Sequence, residues 1–188
     1  MRSLQELIAA AKTSPGKIAY ASCGSGTPQH LSGELLRFMA GIQLIHVPYK
    51  GCAPSLADAL AGQVPVLFNT VPNVMPHARS GRLRALAVTS GKRFPLVPEL
   101  PTVAEAGLPG YDVDQWFAVL GPDGIPAPIV ETLNREIVRV VSASALREKL
   151  MAQSFVPAPS SPDELAHIVR GDIARWSRLI QQVGIRVD

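Results

Sequence analysis

The chain has 188 residues, 47% of them apolar and 18% charged, a balance that supports a buried core and excludes a disordered chain. No run approaches the about 18–20 apolar residues of a membrane-spanning helix. The net charge of +3 is uneven: residues 1–90 hold eight Lys/Arg against three Asp/Glu, and residues 91–188 hold ten against twelve. A weakly basic first half suits a small anion. The basic residues are scattered and aromatics make up only 5%, which argues against nucleic acid as a partner.

Residues 1–12, MRSLQELIAAAK, set Glu6 among leucines and carry no cleavage site, so they predict an amphipathic helix and not a signal peptide. Lys17–Ser22 predicts a strand, followed by the glycine-rich turn Cys23–Thr27. A helix is predicted over Pro28–Ala40, with Leu31, Leu35, Leu36 and Met39 on one side. Then come a strand at Leu44–Val47, a helix at Ser55–Ala61, a strand at Val64–Phe68, a helix at Val74–Ser80 and a strand at Arg84–Val88. Strands alternating with helices through short loops predict an α/β lobe with a mainly parallel sheet and crossover helices. Pro65 has no N–H to give a ladder, which puts the third strand at an edge or starts it later. Arg93–Pro109 carries four prolines and reads as a loop with at most a short helix at Thr102–Ala106. Tyr111–Leu120 predicts a long strand stopped by Gly121-Pro122. Beyond Pro126 the pattern is helical, with helices at Pro128–Val141, Ser144–Gln153 and Pro162–Val183, Asp163 being a cap or first-turn residue of the last. The change of texture sets a boundary near residue 115.

The segment Tyr20-Ala-Ser-Cys-Gly-Ser-Gly-Thr-Pro-Gln-His30 joins a strand, a glycine turn and a helix start. Such a junction aims backbone N–H groups and the helix dipole at one point and favours an anion. Ser22, Ser25 and Thr27 would add hydroxyls there, although they are equally ordinary turn and cap residues. The dinucleotide fingerprint fails at Gln29, the P-loop lacks its Gly-Lys-Ser/Thr, and Ser25 lacks the glycines of a nucleophile elbow. No cofactor motif is present, and the four histidines and two cysteines have no zinc-ligand spacing. Cys23 near His30 allows an activated thiolate, against the more ordinary reading of a small buried cysteine. Whether Cys23 and Cys52 pair cannot be read from their separation. His46-Val-Pro-Tyr-Lys-Gly51 follows a strand, where Tyr49 and Lys50 would face a carboxylate or simply solvent. The third strand ends in Asn69 and Thr70, neutral donors and acceptors that are also common turn formers. No recognisable catalytic set appears.

YASCGSGTPQHLSGELL, IHVPYKG, RFPLVPELPTVAEAGLPGY and WFAVLGPDGIP, in that order, resemble the Bug/TctC family of extracytoplasmic solute receptors of tripartite tricarboxylate transporters. The resemblance covers essentially the whole chain. It implies a periplasmic-binding-protein-like α/β fold, no enzymatic activity, a small di- or tricarboxylate or related acid as ligand, membrane transporter subunits as partners and a periplasmic location. It maps the carboxylate-gripping loop onto Ser22, Gly24, Ser25, Gly26, Thr27 and His30, and a second loop at the cleft onto Tyr49, Lys50 and Gly51. Asn69 stands where the family often has aspartate, which argues for anionic or uncharged ligands over amines; Thr70 follows it. The resemblance further implies a partial chain that lacks the signal peptide and most of the first lobe. Residues 1–115 would be the second lobe, and 116–188 the returning strand and helices that normally pack on the first. Those helices would expose apolar faces, covered by a different packing or by a second copy. The alternatives are an enzyme with Cys23 as nucleophile and His30 as base, and a non-binding oligomeric remnant.

Overall fold

The computed structural model describes residues 1–185. The chain forms two compact units, Met1–Gln115 together with the chain from Leu179, and Trp116–Arg178.

In the first unit, helix α1 (Leu4–Thr13) is capped by Ser3, whose hydroxyl accepts the Glu6 N–H at 3.1 Å. Leu4, Leu7 and Ala11, three and four residues apart, share its buried face. Strand β1 (Ile18–Ser22) lies in the middle of a three-stranded parallel sheet of order β2-β1-β3. Its last three residues, Tyr20, Ala21 and Ser22, are wholly buried, as expected of a central parallel strand covered on both faces. Helix α2 (Pro28–Ala40) follows, with Pro28 in its first turn and Gly41 ending it in the left-handed conformation. Strand β2 (Leu44–Pro48) pairs with β1 from Ile18↔Leu44 to Ser22↔Pro48. After helix α3 (Cys52–Leu60) the chain crosses to the other side of β1 as β3 (Val66–Leu67), and helix α4 (Val71–Arg79) leads away. The Pro65 expectation holds in both forms, because β3 begins after the proline and is an outer strand.

Two predicted strands do not form. At Arg84–Val88 there is only an isolated parallel bridge, Val88↔Thr102. The apolar residues there serve packing instead: Met75, Val88 and Val97 make a core cluster with Phe94 and Leu100 against it. Tyr111–Leu120 alternates correctly at its start, where Tyr111 and Val113 are buried and the Val113 N–H donates to the Thr89 carbonyl at 2.7 Å, yet the segment is no strand among the described residues. Alternation brings apolar side chains inward, whereas a strand also needs a regular ladder to a second main chain. Thr102–Ala106 is a turn, closed by reciprocal bonds between Thr102 and Glu105 at 3.0 Å each.

The second unit contains α5 (Ala127–Ser142), α6 (Ser144–Ala152) and most of α7 (Pro162–Val183). Ser161 and Glu164 make a capping box at the start of α7, Glu164 donating its N–H to Ser161 Oγ at 3.2 Å and accepting the Ser161 N–H at 2.8 Å. Asp163 is therefore a first-turn residue and not the cap. Neither α5 nor α6 has a buried residue, and Ile129, Leu133, Ile137 and Val140 of α5 are exposed.

Candidate functional site

In a sheet of order β2-β1-β3 the chain leaves β1 toward one side and returns on the other, which opens a crevice at the carboxyl ends of the strands. The loops after β1, β2 and β3 all lie at that end, and each feeds a helix. None of the three helices α2, α3 and α4 has an acidic residue in its first turn, whereas α1 and α7 do. Three positive helix ends thus lie at the crevice with no acidic residue in their own first turns.

The first loop is held from several directions. Gly24 has φ 139°, and a Cβ on it would stand 3.0 Å from the Tyr49 carbonyl, so only glycine lets the first and second loops approach this closely. Its N–H donates to Ser22 Oγ at 3.1 Å, and its carbonyl accepts from Thr27 Oγ1 at 2.7 Å. Thr27 also caps α2, accepting the His30 N–H. The Gly51 N–H donates to the Cys23 carbonyl at 3.0 Å, and Cys23 and Cys52 form a disulfide that joins the two loops. The sulfur of Cys23 is therefore bonded, and the nucleophile reading has no thiolate to act.

Ser22 and His30 are buried beneath the loop. His46 Nε2 lies 2.7 Å from Ser22 Oγ, and the Gly26 N–H donates to His30 Nδ1 at 3.1 Å. The two imidazoles stack with centroids 3.9 Å apart and planes 7° from parallel. Tyr20 also stacks on His46, with centroids 5.0 Å apart, and donates its hydroxyl to Glu34 at 2.6 Å; Arg37 Nη1 bonds both oxygens of the same carboxylate. Burial, then the bond to Glu34, pushes the Tyr20 hydroxyl far above its ordinary range, so it is a permanent donor. Glu34 is on α2, where a Cβ on Gly33 would overlap the Tyr20 ring; glycine there lets the helix settle onto β1.

At the second loop the Tyr49 hydroxyl donates to Asp58 Oδ2 at 2.7 Å, a bond that raises its pKa, while Lys50 is exposed and makes no ion pair among the described residues. At the third loop Asn69 is fully committed: its amide donates to the Cys52 carbonyl at 3.0 Å and to Ser55 Oγ at 3.3 Å, and its oxygen accepts from the Thr70 N–H and Asn73 Nδ2. It fastens loop to loop. Thr70 occupies the cap position of α4 without a side-chain cap bond. Ser25, Lys50 and Thr70 are the side chains of these loops without a hydrogen bond or ion pair among the described residues, with the helix ends behind them. His46 and Glu34 are the members the sequence reading missed. The acid-free helix starts had a visible signal, since Glu6, Glu34 and Asp58 are the three carboxylates of residues 1–90.

The family model described as "Tripartite tricarboxylate transporter family receptor" (TctC) matches residues 1–185. The chain belongs to this family. A TctC relative, the UPF0065 protein of the tcbD–tcbE intergenic region of Pseudomonas sp. strain P51, is 40% identical over 180 residues, covering 95% of this chain and 54% of that protein. The protein BugT of Bordetella pertussis is 36% identical over 185 residues, with 98% and 57% covered. Among solved structures, Rpa4515 of R. palustris with adipate superposes with a TM-score of 0.91 at 37% identity, covering 98% of this chain and 62% of that one. MatC of Rhodopseudomonas palustris, with bound malate, gives 0.82 at 31% identity, with 95% and 62% covered. The chain spans a little over half the length of most of the curated relatives it matches. A third neighbour, BugD, is described as a periplasmic binding protein, so the fold is that of periplasmic solute-binding receptors.

Proposed function

We propose that this chain binds a small organic carboxylate at the carboxyl edge of its parallel sheet, as a solute-binding receptor of a tripartite tricarboxylate transport system. The observation that carries the reading is the set of three acid-free helix starts behind Ser25, Lys50 and Thr70. Ser25 and Lys50 would take one carboxylate group, the serine giving hydrogen bonds and the lysine a charge, with Gly26 and Thr27 holding the loop around Ser25. Tyr49, Gly51, Asn69 and Thr70 shape the neighbouring wall, and Ser22 and His30 support the loop from behind. Residues 1–115 are read as the ligand-binding lobe and 116–188 as a returning segment. The Cys23–Cys52 disulfide supports an oxidising compartment, in keeping with a periplasmic site of action. The bound adipate and malate of two neighbours support a dicarboxylate as the first ligands to try.

Native mass spectrometry of the purified chain with adipate, malate and the uncharged diamide of adipate tests this. Retention of a diacid and not of the diamide is the expected result. Equal retention of the diamide, or no adduct with a pool of di- and tricarboxylates, overturns the reading. The same spectra report oligomeric state, and a dimer is the expected cover for the exposed apolar residues of α5; a compact monomer refutes that element alone.

A further inference from the structure

Behind the glycine loop the histidines stack, and a hydrogen-bond direction fixes where the proton of His30 is. The Gly26 main chain has only an N–H to offer His30 Nδ1 at 3.1 Å, so that nitrogen is bare and the ring proton is on Nε2, which faces Glu34 Oε1 at 4.0 Å. Ser22 Oγ accepts the Gly24 N–H at 3.1 Å, reaches the Gly24 carbonyl at 3.2 Å and lies 2.7 Å from His46 Nε2, so either member of the Ser22–His46 pair can supply the proton between them. Two amides of the loop are thereby held by two neutral rings, Gly26 directly by His30 and Gly24 through Ser22 by His46.

We propose that His30 and His46 are positioning residues that hold Gly24–Gly26 in its anion-binding shape, and that protonation of His30 releases the segment. The inference rests on the carboxylate reading of this loop. A protonated His30 would set an N–H at Nδ1 against the Gly26 N–H, two donors with no acceptor between them. The groups facing the pair are Tyr20 from β1 and Glu34 and Arg37 from α2. Glu34 favours a charged ring, but its oxygens already serve Tyr20 and Arg37. Burial holds His30 below the ordinary imidazole value, and burial together with His30 pushes His46 down to about 4. Both rings are neutral at neutral pH and charge only on the acid side.

The test follows the Gly24 and Gly26 amides by nuclear magnetic resonance from neutral pH to about pH 4, with adipate affinity measured across the same range. His30→Phe keeps a ring and removes the acceptor; His30→Asn offers a carbonyl oxygen near the Nδ1 position and does not titrate. The expected result is amide exchange at Gly26 faster by about tenfold in His30→Phe and slowed again in His30→Asn, in line with one hydrogen bond. The native chain should show an acid-side step in the Gly26 shift and a parallel loss of adipate affinity, both absent from His30→Asn; protonation of adipate itself affects the two proteins alike. Unchanged protection of Gly26 in His30→Phe, or a Gly26 resonance without a step in the native chain, overturns the proposal. Should neither adipate nor malate bind at any pH, the carboxylate reading fails, and the amide data still decide whether the histidines position the loop.

Discussion

Helix α1 has ten residues and buries Leu4, Leu7 and Ala11; α5 has sixteen, carries Ile129, Leu133, Ile137 and Val140 at spacings of three and four, and buries none of its residues. The two sequences are amphipathic in the same way. What separates them is the neighbourhood: the first unit supplies a parallel sheet and long loops to receive an apolar face, and the second consists of helices whose faces stay exposed. A stripe of apolar residues therefore announces that a helix has a face to cover and says nothing about what covers it. The aromatic residues divide along the same line, since all three tyrosines lie in the first unit and both tryptophans in the second. Tyrosine and tryptophan fluorescence can follow the two units separately.

The sharpest way to break the comparison is a matched pair of truncations. Leu7→Ala, at 2% exposure, should cost about 2–5 kcal/mol in a denaturant titration read by tyrosine, because it opens a cavity in a packed core. Leu133→Ala, at 50% exposure, should fall within about 0.5 kcal/mol read by tryptophan. A loss at Leu133 as large as at Leu7 would mean that the α5 face is covered in solution. Next in size, reducing the Cys23–Cys52 disulfide or replacing both cysteines by serine should lower the stability of the first unit by about 2–4 kcal/mol and leave the tryptophan transition unmoved.

Much of this was legible beforehand. The starts of α2 and α7, the order of the first three strands and the glycine loop were written in Pro28, Pro162, the apolar spacing and Gly24–Thr27. The strand at Arg84–Val88 and the one at Tyr111–Leu120 were not, because alternation reports burial and a ladder needs a second main chain alongside. The disulfide was open for a similar reason: residue separation carries no distance, and only the meeting of the loops after β1 and β2 brings Cys23 to Cys52. The histidine pair escaped notice because strand register sets His46 beside Tyr20 and the packing of α2 brings His30 onto it, neither of which is a spacing in the chain.

Acidification gives a third contrast. The unfolded chain has histidines near 6.5, whereas the folded chain holds His30 lower and His46 at about 4. Between those values the unfolded state binds more protons, so the stabilisation is whole above about pH 6.5 and is lost as pH falls toward 4. A decrease of about 2–3 kcal/mol in the tyrosine transition, with a flatter tryptophan transition, is expected. Smallest of the set, Ser3→Ala should cost about 1 kcal/mol by leaving the Glu6 N–H without its cap, measured by the tyrosine transition.

The first unit is stitched by bonds between residues far apart in the chain. Gln5 Nε2 donates to the Ala106 carbonyl at 2.7 Å, and the Tyr111 hydroxyl donates to the Ser32 carbonyl at 2.8 Å. A nascent chain must therefore wait until residues 106–111 leave the ribosome before α1 and α2 reach their final tethers. The helices that follow have main-chain bonds within a turn and can form as they emerge, leaving a few longer ties such as Trp116 Nε1 to Asp172 for later. High contact order slows the first unit and low contact order speeds the second, so the later-made half is expected to acquire structure in the shorter time.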